Sequence, residues 1–163
     1  MALWSRLYLH VLICSTLAIM PLLVLAEGKK LSLPRFASIK SNEVNARVGP
    51  SIKSSIEWVF IKKGEPVEII EEYEQWRQIQ DIKGEGGWVH SSVLSGKRSV
   101  IIISPNPVKL TKAPNDIHKV RAIVHNKVRC LLNKCQNDYC QISCQKKKGW
   151  LPKGDLWGVY KNE

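Results

Sequence analysis

The second half of this chain repeats the order of the first half, and this repetition limits the possible fold more than any other feature of the sequence. Residues 44–51 (VNARVGPS) open one stretch, and residues 108–115 (VKLTKAPN) open the next. Each stretch then reaches a glycine–tryptophan step, at 87–89 in the first and at 149–151 in the second. Ordered matches of this kind are typical of a duplicated structural unit. We therefore predict two tandem units of about 60 residues each.

Both units have the residue pattern of short β-strands separated by turns. Runs of β-branched and aromatic residues favour strands, and clusters of glycine and proline favour turns. The predicted strands are 58–61, 67–70, 76–82 and 88–90 in the first unit, and 119–124, 128–135, 139–144 and 150–151 in the second. A 3₁₀ turn is predicted at 91–94. No segment after residue 26 shows a helical period. The chain is therefore predicted to be all-β, with small sandwiches or barrels.

The first 26 residues have the pattern of a secretory signal peptide. Arg6 precedes an almost wholly apolar run at 7–25, and the small residue Ala26 is followed at once by polar residues. This order predicts cleavage after Ala26 and an exported chain, either periplasmic or secreted. A run of this length also spans a bilayer, so an uncleaved anchor at residues 7–26 is the less favoured alternative. Cys14 belongs to this apolar run.

Charge is distributed unevenly between the two units. The whole chain has a formal net charge of +11. Residues 36–95 hold seven basic and nine acidic residues, a net charge of −2, whereas residues 96–163 hold fourteen basic and four acidic residues, a net charge of +10. Three consecutive lysines, Lys146, Lys147 and Lys148, are predicted to lie in a hairpin loop of the second unit. This basic patch indicates either a solvated surface or contact with an anionic envelope surface.

Four of the five cysteines lie in the second unit, at positions 130, 135, 140 and 144. An even number in an exported chain favours disulfides. If one strand ends at Cys135 and the next begins near Cys140, these two face each other, and Cys130 and Cys144 lie further along the same strand pair. We predict Cys135–Cys140 and Cys130–Cys144, one of three connectivities, although a regular ladder places the second pair one position out of register. A four-cysteine zinc site is the alternative, and the gaps between the cysteines disfavour it.

The first unit resembles the bacterial SH3-like (SH3b) domain family. The residues that carry this resemblance are 44–51, Lys63-Gly64, 76–79 and 87–94, which follow the family pattern N-x-R-x-G-P-S near the start and G-W-V near the end. The second unit departs from the pattern at its start, where Thr111 stands in place of the arginine. The resemblance extends over roughly residues 35–160.

The resemblance implies two five-stranded SH3-like barrels that act as binding modules and not as enzymes. It places a lead segment at 27–35, the first domain at 36–96 and the second domain at 97–163. In SH3-like folds the aromatic residue after the hairpin that precedes the fourth strand often lines the ligand groove. Trp76 and Tyr139 hold that position by resemblance. For Trp76, packing against the barrel is an equally weighted alternative.

The remaining aromatic residues and the histidines have less specific roles. His90 is expected either to be a solvated turn residue or to border the ligand groove. The other tryptophans are expected to pack, with positions 88 and 150 in the core and positions 58 and 157 elsewhere.

No motif in the sequence points to a reaction. Gly-x-Ser-x-Gly, His-Glu-x-x-His and a phosphate-binding glycine loop are all absent, and paired cysteines leave no thiolate nucleophile. The chain is therefore predicted to be non-enzymatic, with no cofactor and no metal. The resemblance implies an envelope binding protein for peptidoglycan or its stem peptides. A protein–protein adaptor without wall affinity is the alternative, and export disfavours nucleic acid as a partner.

Overall fold

Fourteen strand segments and two 3₁₀ turns make up the computed structural model, which describes residues 31–163. The first unit contains β1 (Arg35–Ile39), β2 (Val44–Arg47), β3 (Ile56–Phe60), β4 (Pro66–Tyr73), β5 (Trp76–Gln80), β6 (Gly86–His90), a 3₁₀ turn (Ser91–Val93) and β7 (Leu94–Ser95). The second contains β8 (Ser99–Ile102), β9 (Val108–Thr111), β10 (Val120–Val124), β11 (Arg129–Gln136), β12 (Tyr139–Cys144), β13 (Lys147–Pro152), a 3₁₀ turn (Lys153–Asp155) and β14 (Leu156–Trp157). The predicted signal peptide lies outside the described residues. Residues 31–163 contain no helix long and apolar enough to cross a membrane.

Strand order is the same in the two units. The first sheet runs β3-β2-β6-β5-β4-β1-β7, and the second runs β10-β9-β13-β12-β11-β8-β14. The hairpins β2–β3 and β9–β10 even shift register at the same pair, Arg47 with Ile56 and Thr111 with Val120. The predicted all-β tandem fold is confirmed. Each open sheet has seven strand segments and not five, because short segments such as β7, which pairs with β1, also join the sheet.

Side-chain alternation along β12 builds one wall of the second core. Cys140, Ile142 and Cys144 are buried, while the residues between them are half-exposed, as expected for a strand with one inward face. The preceding hairpin turns on Asn137 and Asp138, and Asn137 has φ of 50°, a left-handed conformation that asparagine tolerates better than most residues. The inward residues pack with Val100, Ile102, Leu110, Val124, Leu151 and Leu156.

A β-bulge in β11 changes the register of this hairpin. Leu132 lies opposite Ile142, but the next pair along is Lys134 with Gln141, so Asn133 is the additional residue on its strand. An added residue lets inward positions on both sides of the bulge keep the same face, because it absorbs one step of the alternation.

Both expected disulfides are present in the structure. Cys135 and Cys140 are register partners with Cα atoms 4.0 Å apart, and Cys130 and Cys144 have Cα atoms 4.4 Å apart. The predicted offset of the second pair is wrong, because that prediction assumed a regular ladder. The extra residue of the bulge, Asn133, shifts the register by one position and so brings Cys130 and Cys144 together.

The glycine of each Gly-Trp step lies where a neighbouring strand crosses at close range. A Cβ atom on Gly87, which has φ of 131°, would lie 2.7 Å from the carbonyl oxygen of Arg47. A Cβ atom on Gly149 would lie 2.6 Å from the carbonyl oxygen of Thr111. Only glycine permits such contacts without displacement of the backbone. The tryptophans that follow are buried as predicted, at positions 88 and 150.

Aromatic side chains join the two units, which belong to one compact body over residues 31–163. The ring of Phe36 in β1 packs edge-on against Trp157, with ring centroids 5.2 Å apart, and at 37° to Tyr160, with centroids 4.6 Å apart. The guanidinium carbon of Arg98 lies 5.7 Å from the centroid of the same Phe36 ring. The expected packing role of Trp157 is therefore confirmed, and it is a role between units.

A buried hydrogen-bond network continues this joint. The backbone N–H of Ser99 donates to the hydroxyl oxygen of Ser38 (2.8 Å), and the hydroxyl of Ser99 donates to the carbonyl oxygen of Gly64 (2.5 Å). Since that hydroxyl has one proton, the 2.6 Å contact between the two serine hydroxyls is donated by Ser38. Each polar group of these two serines at the joint thus has a partner.

Candidate functional site

A groove of about 350 Å³ surrounds Tyr139 in the second unit. It lies between the loop 112–119 and strands β9 and β13, with Tyr139, Trp150 and Ile117 among its lining residues. Lys109 and Asp155 also line it, one charge of each sign. Tyr139 is half-exposed, whereas Trp150 is buried and has the ammonium of Lys134 5.5 Å from its ring centroid. One exposed aromatic ring beside polar groups forms a surface suited to peptide or sugar recognition.

The loop 112–119 is tied to the groove by Tyr139 itself. The phenolic hydroxyl of Tyr139 donates a hydrogen bond to the side-chain oxygen of Asn115. Asn115 has φ of 60°, the backbone N–H of Lys112 donates to the carbonyl oxygen of Lys119 (2.9 Å) at the base of the loop, and Ile117 near the loop tip is 67% exposed. Tyr139 therefore both lines the groove and positions one of its walls. Asn115 and Ile117 were not identified from the sequence, because a loop without a motif gives no signal before its contacts are known.

In the first unit the structure brings Trp76 and His90 together. They are register partners on β5 and β6, and their rings meet edge to face with centroids 5.8 Å apart. His90 Nδ1 accepts a hydrogen bond from the backbone N–H of Ser92 (3.3 Å), which caps the 3₁₀ turn that begins at Ser91. Trp76 is half-buried and His90 is exposed. Both rings are thus available to a ligand on the outer surface of the hairpin.

The three lysines of the basic patch are exposed but do not all lie in a loop. Lys146 is in the turn, whereas Lys147 and Lys148 begin strand β13, which corrects the prediction of a hairpin loop. The turn is tighter than expected because Cys144 pairs with Lys147 across it. The guanidinium of Arg121 on β10 donates to the carbonyl oxygen of Lys148 (3.0 Å). The patch therefore continues across the sheet onto β10.

Trp58 does not pack as the sequence suggested. It is 36% exposed, on the edge strand β3, where the open sheet leaves it without a covering strand.

Within residues 31–163 no group of three or more His, Cys, Asp or Glu side chains is placed to hold a metal ion. All four cysteines of that range are in disulfides.

No curated protein sequence matches this chain. Among solved structures, NlpC1 from Trichomonas vaginalis is similar with a TM-score of 0.36 at 10% identity, covering 79% of this chain and 47% of that one. NlpC2 from the same organism is similar with a TM-score of 0.37 at 11% identity, covering 82% of this chain and 51% of that one. The chain thus spans about half the length of these two structures.

The family model described as "Bacterial SH3 domain" matches the chain twice, at residues 40–96 and 104–158. The two matched ranges contain β2 to β7 and β9 to β14, the segments in which strand order and register repeat. The chain belongs to the bacterial SH3 domain family, of which it carries two copies in tandem.

Proposed function

We propose that this chain is a non-catalytic binding protein of the bacterial cell envelope that recognises peptidoglycan through its stem peptides. The observation that carries the proposal is the groove of about 350 Å³ around Tyr139, with Trp150 beside it and charges of both signs at Lys109 and Asp155. Stem peptides are short chains with small apolar side chains and free carboxylates. The aromatic ring of Tyr139 suits the apolar groups, and the positive charge of Lys109 suits the carboxylates.

The charge of the second unit supports a location next to an anionic polymer. Its lysines at 146, 147 and 148 are exposed, and Arg121 extends the patch on the same sheet. Exposed charges of one sign attract an anionic surface over a distance of about 10 Å at 0.1 M salt. The two disulfides are compatible with an oxidising, exported setting. Cleavage of residues 1–26 as a signal peptide remains part of this proposal.

Retention on purified sacculi tests the proposal. We expect wild-type protein to be retained, and Tyr139→Ala to lower the affinity about tenfold, as truncation of an aromatic anchor does. Ile123→Ala is the matched control, since Ile123 is exposed on β10 and does not line the groove. Trp76→Ala tests the corresponding position of the first unit. Absence of wild-type retention would refute wall recognition and favour an adaptor for another protein.

Salt concentration separates the electrostatic attraction of the three lysines from the apolar contact of Tyr139. Replacing Lys146, Lys147 and Lys148 with glutamine should remove only the part of retention that falls as salt rises, because screening acts on exposed charges. The loss in Tyr139→Ala should persist at high salt, since apolar contact is not screened. If the lysine variant instead loses binding equally at both salt concentrations, the patch is not a simple electrostatic surface.

A further inference from the structure

A cleft of about 550 Å³ lies between the two units, away from the groove around Tyr139. The first unit lines it with Trp58 and Ile82, and the second with Ile101 and Ile103. A smaller hollow of about 180 Å³ adjoins it along strand β3 and shares Trp58 with it. Trp58 therefore stands at the junction of the cleft and the edge of the first sheet.

The duplicated unit provides an internal comparison for this edge. Register places Trp58 opposite Ala46, and the equivalent pair of the second unit is Ala122 opposite Leu110. Trp58 thus has an alanine as its counterpart, so a hairpin of the same register forms in the second unit without a tryptophan at this position.

The two edge strands also differ in charge. Strand β10 carries Arg121 within the strand and Lys119 just before it, and such charges protect an edge from pairing with another chain. Strand β3 has large exposed apolar residues at Ile56 and Val59, and no strand of residues 31–163 pairs with its outer side. Strand β10 also exposes Val120 and Ile123, and β3 carries one acidic residue, Glu57, so the two edges differ in the sign of their charge. The edge of β3 lacks the basic residues that most often protect an edge and is the more open of the two to an added strand.

Lysines surround the cleft where it meets this edge. Lys62, Lys83 and Lys127 line it, all three are exposed, and none forms an ion pair with another described residue. Two of the three acidic residues that line the cleft, Glu65 and Asp81, contact other residues. The carboxylate of Glu65 pairs with Arg129.

Asp81, in the turn between β5 and β6, also has hydrogen-bond partners. Asp81 accepts hydrogen bonds from the backbone N–H groups of Lys83 (2.8 Å) and Glu85 (3.0 Å). Glu57 belongs to β3 but lines neither the cleft nor the adjoining hollow. Glu85 also lines the cleft and forms no ion pair with another described residue. Once the Glu65–Arg129 pair is set aside, the three lysines exceed the two remaining acids by one charge, so the cleft carries a small positive excess.

We propose that the cleft between the units binds an extended acidic peptide segment, which adds to the outer edge of β3 and places its carboxylates among Lys62, Lys83 and Lys127. Main-chain hydrogen bonds to an open edge select a peptide over other anions. Trp58 supplies an aromatic surface for an apolar side chain of that segment. This site is distinct from the groove around Tyr139, and the proposal does not depend on wall recognition.

Binding of defined peptide pools tests this site. The acidic pool contains octapeptides that join four β-branched residues to a block with two glutamates, in both chain orders, and the matched pool has glutamine in place of glutamate. We expect the acidic pool to shift the NMR signals of the Trp58 indole N–H and of the β3 amides. We expect the glutamine pool to bind about tenfold more weakly, because two or three exposed charge pairs are lost.

Variants identify the residues responsible. The triple substitution Lys62→Gln, Lys83→Gln, Lys127→Gln should weaken the acidic pool about tenfold, while Lys40→Gln, Lys53→Gln, Lys112→Gln, with the same loss of charge at exposed lysines outside the cleft, should change it less than about twofold. Trp58→Ala should abolish the shifts at β3 while the spectrum of the second unit stays native.

Three outcomes would overturn the proposal. They are equal binding of the two pools, an equal effect of the two lysine triples, and shifts confined to the groove around Tyr139. Failure of sacculi retention would refute wall recognition alone and would leave these readouts unaffected.

Discussion

Single residues decide where each sheet can cross itself. Gly149 lies against the backbone of Thr111, and the same geometry recurs at Gly87 in the first unit. The aromatic residue that follows each glycine is buried, so the Gly-Trp step combines a close backbone crossing with a large packed side chain. This pairing explains on physical grounds why the step marks both units of the sequence.

Gly149→Ala tests the close approach. The added Cβ would lie 2.6 Å from Leu110 Cγ and from the Thr111 carbonyl oxygen, so we expect the free energy of unfolding to fall by about 1–3 kcal/mol through overpacking. Gly154→Ala is the control, because a Cβ there would meet no atom within 4 Å. Denaturant unfolding measures both, and equal stabilities of the two variants would contradict the packing argument.

At the scale of elements, the β11–β12 hairpin is the most constrained part of the second unit. The bulge at Asn133 separates two register blocks, and each block contains one disulfide. Both cysteines of the Cys130–Cys144 disulfide are buried in the core, whereas Cys135 of the other disulfide is half-exposed. The hairpin is thus fastened at both ends, with the irregularity between the two fastenings.

The two disulfides should differ in their effect on stability. Cys130→Ala with Cys144→Ala opens a loop of about 15 residues, worth roughly 3 kcal/mol in the chain-entropy model, and Cys135→Ala with Cys140→Ala opens a much shorter loop, worth about 2 kcal/mol. Burial of Cys130 and Cys144 adds to the first loss, since the shorter side chains leave unfilled space. Thermal unfolding of the two double variants measures the order, and a larger loss in the second would show that fixing the hairpin end matters more than loop closure.

At the scale of the whole molecule, the joint makes the two units one body. Phe36, Trp157 and Tyr160 form its aromatic part, and Ser38 with Ser99 forms its buried polar part. Tyr160 also donates a hydrogen bond to Glu68 on β4 (2.6 Å). The two proposed sites differ in how far they depend on this joint. The groove around Tyr139 belongs to the second unit alone, whereas the cleft exists only between the two units.

Tyr160 makes the joint sensitive to alkaline pH. Burial, together with the hydrogen bond and the negative charge of Glu68, raises the pKa of Tyr160 above its ordinary value. The folded state therefore keeps the phenolic proton at a pH where the unfolded chain releases it. The resulting stabilisation is fully present below about pH 10 and is lost as the pH rises further.

The measurement compares Tyr160→Phe with wild type. We expect the difference in unfolding free energy between them to stay constant up to about pH 10 and to shrink as the pH rises further, because the tyrosine of the unfolded chain then ionises while the folded state still holds its proton. Tyr73→Phe is the control, since Tyr73 is exposed and its phenolic hydroxyl has no hydrogen bond to another described residue. A constant difference above about pH 10 would show that Tyr160 does not titrate with unfolding.

Features that depend on a local pattern of residues can be predicted from the amino-acid sequence alone. Strand alternation, turn residues and the repeated Gly-Trp step were sufficient for the all-β tandem fold, and cysteine placement on one hairpin was sufficient for both disulfides. Each of these follows from residues that are near in the chain, or from a period that the backbone imposes.

Features that depend on contacts between distant segments become visible only in the folded chain. The bulge at Asn133 has no residue signature in the sequence, so the regular ladder assumed for the cysteines was one step wrong. Trp58 is exposed because β3 is the last strand of an open sheet, which composition does not reveal. The cleft combines side chains from positions 58 to 129, and no pattern along the chain reports a surface that forms only when two units meet. Local sequence sets backbone preferences over a few residues, whereas edges, joints and clefts are set by which strands find each other.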